Sequence, residues 1–309
     1  MAQPSGDPVP SITEQEAAGA IKAIYEDIKA VIGVPVVNLI FRHMATLPGC
    51  LEWGWEVLRP LYAGGELSRV AEALITHLEL PAIPRLLAPA LRAVGVDAPG
   101  ERMIARILDA YNRSNPMNMI ALSTLLTYLA EGVSAATASH TDTPIRRPPL
   151  SLPSATTESA VLPPLLSLDT MQAETAVLVR TLNGLSPQGE ARTMASMYRQ
   201  LAHWPGYLAL ALVLLQPLHA DGRLQVAVQQ ASTQALSQSQ RMAQVLSVDV
   251  ASAPPVGEVR QALDTALRYF TAHLIVEMIP VGRFLRHTLP EPLSVSGLSQ
   301  GSALDQTEG

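Results

Sequence analysis

Apolar residues recur three or four positions apart along most of the chain, which is the spacing of one face of an α-helix. The first clear segment of this kind runs from Ile21 to Val31. Ahead of it, Thr13-x-x-Glu16 has the form of a capping box, which marks the start of many helices. The sequence has no comparable alternation of apolar and polar residues of the kind that marks strands. The pattern therefore predicts an all-α fold.

Capping residues and prolines indicate where further helices begin and end. One helix is predicted from Ser68 through about residue 78, and a second from Pro99 through about residue 113. A third is predicted to have Pro116 in its first turn and to end near Gly132. In the second half, helices are predicted near 167–183, 190–203, 206–219, 223–247 and 257–288. Pro280 should kink the last of these, because proline removes an amide donor from the helix.

The chain matches itself when it is shifted by 157 positions. Eleven identities fall in the 26 positions from 42 to 67, where unrelated segments would share roughly two or three. The pairs include Arg42 with Arg199 and Gly49 with Gly206. Such self-similarity indicates two tandem copies of one helical repeat. Two helical units can pack about a pseudo-twofold axis, so we expect a pseudo-dimer with a ligand pocket between the repeats.

Composition divides the chain into five parts. Residues 133–164 are rich in Ser, Thr, Ala and Pro, which predicts a linker. Residues 1–12 are polar and predict a flexible N-terminus, and residues 290–309 have few apolar anchors and predict a disordered C-terminal tail. The two helical repeats are then 13–132 and 165–289.

Charge and cysteine usage narrow the classes of function. The net charge of −6 and the absence of a dense basic run predict neither nucleic acid nor an anionic membrane as a partner. A single cysteine, Cys50, excludes an intrachain disulfide and fits a reducing cytoplasm, and the N-terminus lacks the pattern of a signal peptide. No glycine-rich phosphate loop and no zinc-ligand spacing is present, so we expect no nucleotide cofactor and no metal.

Several segments resemble the group I 2-haloacid dehalogenases of the DehI type. The likeness covers roughly residues 15–130 and 165–288, that is, both copies of the repeat. The segments that carry it are Ile24-Tyr25-Glu26-Asp27-Ile28, Arg42-x-x-Ala45-Thr46-Leu47-Pro48-Gly49, Tyr111-Asn112-Arg113-Ser114-Asn115-Pro116 and Tyr198-Arg199-Gln200-Leu201-Ala202-His203-Trp204-Pro205.

The resemblance implies an all-helical enzyme with its active site between two repeats. It implies hydrolysis of small 2-haloalkanoic acids without a metal or an organic cofactor. An aspartate would act as general base on a water molecule, which displaces the halide directly from the alpha carbon. Such chemistry needs a carboxylate near the water, a dry pocket and hydrogen-bond donors for the substrate carboxylate. Hydrolytic dehalogenation is the function that the resemblance predicts.

Position by position, the resemblance also assigns site residues. The aspartate corresponds to Met197 and its neighbouring serine to Ser196, whereas two pocket aromatics correspond to Val36 and Leu39. We expect these four residues to line the pocket. Methionine cannot accept a proton. The alternative hypothesis is therefore a divergent member of the family that binds or acts on another small, partly apolar carboxylic acid.

Polar residues near these positions are candidates for catalysis. The asparagine that holds the water corresponds to Asn112 or Asn115, although both residues suit the ordinary task of ending or capping a helix. Glu277, which lies four positions after His273, and His203 are the candidate replacement bases. His273 and Glu277 lack the further ligands that a metal site needs.

Arg42 and Arg199 occupy equivalent places in the two repeats and line the predicted pocket. Their guanidinium groups suit a substrate carboxylate, but each could instead form an ion pair within its own repeat, for example with Glu26 or Asp27. The expected partner is a small-molecule carboxylic acid. A homodimer is also predicted as a candidate assembly, since an apolar composition can serve an interface between subunits.

Overall fold

A computed structural model describes residues 9–82, 84–131, 162–185, 193–246 and 250–290. These ranges contain helices and connecting segments and no strand, so the prediction of an all-α fold is confirmed. The helices of the first half are α1 Gly19–Ile32, α2 Leu39–Met44, α3 Cys50–Ala63, α4 Glu66–His77, α5 Ala88–Ala93 and α6 Ala98–Glu131. Those of the second half are α7 Ala173–Asn183, α8 Ser196–Leu201, α9 Pro205–Ala220, α10 Arg223–Val245, α11 Gly257–Tyr269 and α12 Val276–Thr288.

The capping-box residues form a turn ahead of α1. The carboxylate of Glu16 accepts bonds from the amide and the hydroxyl of Thr13, at 3.0 and 2.7 Å, and the amide of Glu16 donates to the Thr13 hydroxyl oxygen. The helix itself begins later, at Gly19. The reciprocal bonds are therefore present, but they stabilise a separate turn at residues 14–16.

Helix α6 is continuous over 34 residues, so the predicted boundary at Pro116 is wrong. Pro116 lies inside the helix, where it removes the amide that would bond to the carbonyl of Asn112. Asn112 and Asn115 also lie inside α6, and neither caps a helix. Packing outweighs this local cost, because α6 contacts α3, α4, α8, α10, α11 and α12.

The second half departs from the predicted boundaries in two places. The helix predicted at 190–203 is shorter, since α8 spans Ser196–Leu201 and residues 193–195 are not helical. The segment predicted as one helix at 257–288 contains a π-helical turn, Phe270–Ile275, between α11 and α12. Such turns often occur at functional sites. Pro280 lies further on, inside α12.

Two pairs of helices begin at positions that are 157 residues apart, the same interval as the shift found in the sequence. Leu39 of α2 and Ser196 of α8 are separated by this interval, as are Glu66 of α4 and Arg223 of α10. These equivalent starts support the repeat, while the pseudo-dimer stays a prediction. Most of the predicted linker and tail, and residues 1–8 of the predicted N-terminal segment, lie outside the described residues.

The two copies of the Pro-Gly step have different structural roles. Gly49 has a φ of +70°, a left-handed conformation that glycine adopts readily, and a Cβ there would meet nothing within 4 Å. Gly206 has no such conformation, but a Cβ at this position would lie 2.0 Å from the carbonyl oxygen of Val94. The second glycine is therefore required by the close approach of α5 to α9.

Candidate functional site

A cavity of about 410 Å³ lies where α1, α2, α6 and α8 meet. Its walls come from both halves of the chain, because α8 and residues 162–165, at the end of the predicted linker, also line it. Its apolar part includes Ile28, Ile32, Val34, Val36, Leu39 and Leu162. A space of this size and character is typical of a small-molecule site.

Helices α2 and α8 place equivalent residues on the cavity. Leu39 and Arg42 of α2 line it, as do Ser196 and Arg199 of α8. Only 5% of Arg42 and 3% of Arg199 is exposed to solvent. The Nε of Arg199 donates to the carbonyl oxygen of Leu166 over 2.8 Å, which holds the guanidinium in place. Two buried arginines thus border one cavity.

The carboxylates suggested as structural partners of these arginines form other ion pairs. Glu26 lies 3.1 Å from the Nζ of Lys29, and Asp27 lies 2.7 Å from the Nε of Arg59. Both pairs are on the outer side of α1, where Glu26 is 62% exposed. Both carboxylates therefore have basic partners other than Arg42.

Tyr111 of α6 lies among the charged groups of the cavity. Burial raises the pKa of its phenol, while the charges of Arg42 and Arg199 and a hydrogen bond with Ser196 lower it in part. Arg42, Arg199 and Tyr111 all line the same cavity, so both charges act on this one phenol. The phenol is neutral at physiological pH and can act as a hydrogen-bond donor.

One face of α6 supplies polar residues that the site prediction did not include. Tyr111, Ser114 and Asn118 are three and four positions apart and all line the cavity. The hydroxyl of Tyr62 donates to Oδ1 of Asn118 over 2.7 Å, and Nδ2 of Asn118 is buried without a hydrogen-bond partner. The spacing was visible in the sequence, but the predicted helix boundary at Pro116 concealed this common face.

Gln200 is a further polar residue of the cavity that was not predicted. Its Nε2 donates to the carbonyl of Pro163 over 2.9 Å, and its Oε1 is buried without a partner. Because the Pro163 carbonyl can only accept, this bond determines the orientation of the amide. An unpaired acceptor of Gln200 and an unpaired donor of Asn118 thus belong to the same wall.

Asn112 and Asn115, predicted to be catalytic, and Met197, predicted to line the pocket, are not among the residues that line this cavity. Nδ2 of Asn112 donates to the carbonyl of Gly282 over 3.2 Å. A Cβ on Gly282 would lie 2.7 Å from Oδ1 of Asn112 and 3.7 Å from Sδ of Met197. Met197 is 1% exposed and Asn115 is 4% exposed. The structure therefore brings Asn112 and Met197 together in the core between α6, α8 and α12.

The candidate replacement bases also lie outside the lining of the cavity. His203 is exposed, and its Nε2 is 2.9 Å from the carbonyl oxygen of Pro164. Glu277 is 3% exposed, at the start of α12. Burial, with the charge of Glu277 adding to it, raises the pKa of Tyr198. Both proposed roles as bases stay predictions.

Glu14 is an acidic residue of the cavity that sequence reasoning missed. It lies in the turn before α1, and its side chain is 30% exposed. Oε1 accepts a bond from the amide of Val37 over 2.9 Å, and Oε2 lies 3.1 Å from the Nζ of Lys29. Burial alone would lower the pKa of Lys29, but its hydrogen bonds with Glu14 and Glu26 raise it.

The described part of the chain has neither a cluster of metal-binding side chains nor a helix that could span a membrane. No group of three or more His, Cys, Asp or Glu side chains is arranged to hold a metal ion there. None of the described helices combines the length and apolar character needed to cross a bilayer.

Cys50 is buried, and burial together with the charge of Glu52 raises the pKa of its thiol to about 11.

Sequence comparison identifies relatives with a named activity. A configuration-inverting 2-haloacid dehalogenase of Alcaligenes xylosoxydans xylosoxydans is 29% identical over 120 residues, which are 38% of this chain and 40% of the relative. An (R)-2-haloacid dehalogenase of Pseudomonas putida is 33% identical over 86 residues, which are 26% of this chain and 29% of the relative. The chain is related to the 2-haloacid dehalogenases. The matched segments span less than half the length of these curated relatives.

Solved structures of D-2-haloacid dehalogenases share the fold of this chain. A mutant form superposes with a TM-score of 0.69 at 18% identity, covering 91% of this chain and 96% of the other. The complex with L-LA gives a TM-score of 0.68 at 16% identity and the same coverage. At this identity, the superpositions establish the shared fold. No protein-family model matches the chain.

Proposed function

We propose that this chain hydrolyses the carbon–halogen bond of a small 2-haloalkanoic acid in the cavity between its two halves. Water would replace the halide at C2, which converts the substrate into a 2-hydroxy acid and releases halide and one proton. The named activities of the relatives support this proposal. They favour it over the alternative of a divergent protein that acts on another carboxylic acid.

The convergence of Arg42 and Arg199 on one cavity carries the proposal. A 2-haloalkanoic acid is an anion at neutral pH, and guanidinium groups bind carboxylates through paired charge-assisted hydrogen bonds. Both arginines are nearly buried, where such bonds are stronger than in water. Tyr111 and Ser196 lie in the same region and can donate further hydrogen bonds.

The apolar part of the cavity suits the remainder of the substrate. Val36 and Leu39 stand at positions where the resemblance gives aromatic residues, and both line the wall with Ile28 and Ile32. An aliphatic wall excludes water from the alkyl chain and the halogen. The expected reaction is direct displacement, which inverts the configuration at C2.

The test is the release of chloride or bromide from each enantiomer of 2-chloropropionate and 2-bromopropionate by the purified chain. We expect halide and 2-hydroxypropionate in equal amounts, with the hydroxy acid inverted relative to its substrate. A folded protein that releases no halide above buffer from any of the four substrates would contradict the proposal. Heat-denatured protein is the control for spontaneous hydrolysis.

The proposal also covers the assembly of the protein and its location in the cell. We propose a homodimer and a cytoplasmic protein that binds no nucleic acid. The apolar surface of α9, on which Val213 is 68% exposed, supports a contact between subunits. Light scattering on the purified chain measures the assembly, and a mass equal to one chain at all concentrations would contradict the dimer.

A further inference from the structure

Hydrolytic dehalogenation requires a group that takes a proton from the attacking water. At the position where the resemblance gives an aspartate, the chain has Met197, whose thioether has no basic site for this task. Met197 is also buried and does not line the cavity. The base for this reaction must therefore come from another element of the fold.

Among the described residues that line the cavity, Glu14 is the one carboxylate, and no histidine is present. The other ionisable side chains of the wall are unsuited to the task. Arg42 and Arg199 are permanent cations, and Tyr111 keeps its proton at neutral pH because burial raises its pKa. Glu14 is thus the group of this wall that can accept a proton.

The surroundings of Glu14 hold its carboxylate in a defined place. The Val37 amide and the Lys29 ammonium bind its two oxygens from different directions. An ionised carboxylate has about four acceptor positions, and these bonds use two of them. The 30% exposure of the side chain leaves it accessible from the cavity. A water molecule can therefore donate a hydrogen bond to it.

Glu14 also lies near the arginine that would bind the substrate carboxylate. The hydroxyl of Tyr25 is within electrostatic range of both, since the charge of Arg42 lowers its pKa and that of Glu14 raises it, although burial has the largest effect. In a 2-haloacid, C2 is bonded directly to the carboxylate carbon. Glu14 and Arg42 line the same cavity of about 410 Å³, so a substrate held by Arg42 shares this space with Glu14, and a water molecule can lie between them.

We propose that Glu14 is the general base of this site and replaces the carboxylate that is missing at position 197. This role rests on the proposed function. Glu14 takes a proton from water while the water oxygen forms a bond to C2. The carbon–halogen bond breaks, and the halide leaves with the electron pair. Glu14 then returns its proton to solvent, and the 2-hydroxy acid leaves with C2 inverted.

The test compares halide release by the full chain as wild type, Glu14→Gln, Glu14→Asp and Glu26→Gln. Glu26→Gln is the matched control, because Glu26 also bonds Lys29 over 3.1 Å but does not line the cavity. We expect Glu14→Gln to lower kcat by on the order of 10²- to 10⁴-fold, the usual contribution of a general base, with KM changed only a few-fold. Glu26→Gln should keep kcat within about threefold of wild type.

Two further readouts separate a base from a structural residue. In the wild type and in Glu14→Asp, log kcat should fall as the pH is lowered into the acid range. The residual activity of Glu14→Gln should not show this fall. Glu14→Asp shortens the side chain by one methylene group and so moves the carboxylate. Its kcat should therefore fall by on the order of tenfold without a change in melting temperature.

The outcomes are distinguishable. An inactive, folded wild type overturns the proposed function and with it the role of Glu14. An active wild type whose Glu14→Gln variant keeps a third or more of kcat overturns the role of Glu14 alone. If Glu14→Gln does not fold, Glu14→Asp decides, since an unchanged kcat in that variant would also overturn the role of Glu14.

Discussion

Asn112 donates a hydrogen bond from Nδ2 to the carbonyl oxygen of Gly282, 3.2 Å away, and so connects α6 to α12 across 170 positions of the chain. Met197 packs beside the same glycine. Asn112, a candidate catalytic residue by resemblance, thus binds the two halves of the chain together, and Met197, at the position of the missing aspartate, packs beside it.

This contact predicts that Gly282→Ala destabilises the fold. The new methyl group would lie 2.7 Å from Oδ1 of Asn112, too close for a normal contact. We expect the free energy of unfolding to fall by about 1–3 kcal/mol, as for other overpacked cores. Urea denaturation measures this change. Gly184→Ala is the control, because its Cβ would meet only carbonyl oxygens at 3.4 Å, and a similar loss there would contradict the steric explanation.

Met197→Asp should destabilise the protein without raising its activity. A carboxylate at this site would be buried beside Asn112, at a cost on the order of 3 kcal/mol, and would not face the cavity. Met197→Leu conserves volume and should cost less than about 1.5 kcal/mol. Thermal unfolding and halide release measure the two effects. A higher kcat in Met197→Asp would show that a carboxylate on α8 can act as the base, and it would contradict the role proposed for Glu14.

Replacing either cavity arginine by lysine should weaken substrate binding. Lysine keeps the charge but cannot form the paired hydrogen bonds of a guanidinium group. Losing a hydrogen bond to a charged group costs about 1.5–3 kcal/mol, so KM should rise about 10- to 100-fold in Arg42→Lys and in Arg199→Lys. Arg59→Lys alters an exposed ion pair and is the control. Equal KM values in all three variants would exclude carboxylate binding by the cavity arginines.

Asp27 should make stability depend on pH in the acid range. Hydrogen bonds from Arg59, opposed by partial burial and aided by Trp55, hold the pKa of Asp27 below its ordinary value of 3.8. A carboxyl whose pKa is lowered by folding contributes stability above its unfolded pKa, and this stability is lost as the pH falls through the folded pKa. The contribution is about 1 kcal/mol, because the pair is partly exposed.

The measurement is urea unfolding of the wild type and Asp27→Asn from pH 7 to pH 2.5. The two curves of unfolding free energy should differ at neutral pH and converge below about pH 3.8, the ordinary value for the carboxyl. A difference that stays constant down to pH 2.5 would show that Asp27 acts through packing, independently of its charge.

The helical content, and the self-similarity that predicts a repeat, were determined by the sequence itself. Both depend on local spacing: a helix needs apolar residues three or four positions apart, and a duplication preserves the order of its elements. This is why the starts of α2 and α8 differ by the 157 positions found from the sequence alone. The pairing of Arg42 with Arg199 followed from the same shift.

Only the tertiary structure decided the boundary at Pro116 and the role of each Pro-Gly step. The local effect of proline predicts a helix boundary at Pro116, but packing of α6 against six other helices keeps the helix continuous. Gly49 is favoured by its own backbone conformation, whereas Gly206 is required by Val94, a residue from another part of the chain. Identical dipeptides cannot reveal this difference.

The candidate base depends on tertiary structure in the same way. Glu14 lies in a polar turn before α1, and nothing in its sequence neighbourhood distinguishes it from an ordinary surface carboxylate. Its place in the cavity arises from contacts with Lys29 and Val37, and from the approach of α2 and α8 to the same space. The sequence indicated the helices because their hydrogen bonds and their apolar spacing are local, and folding decided the site because its contacts join distant segments.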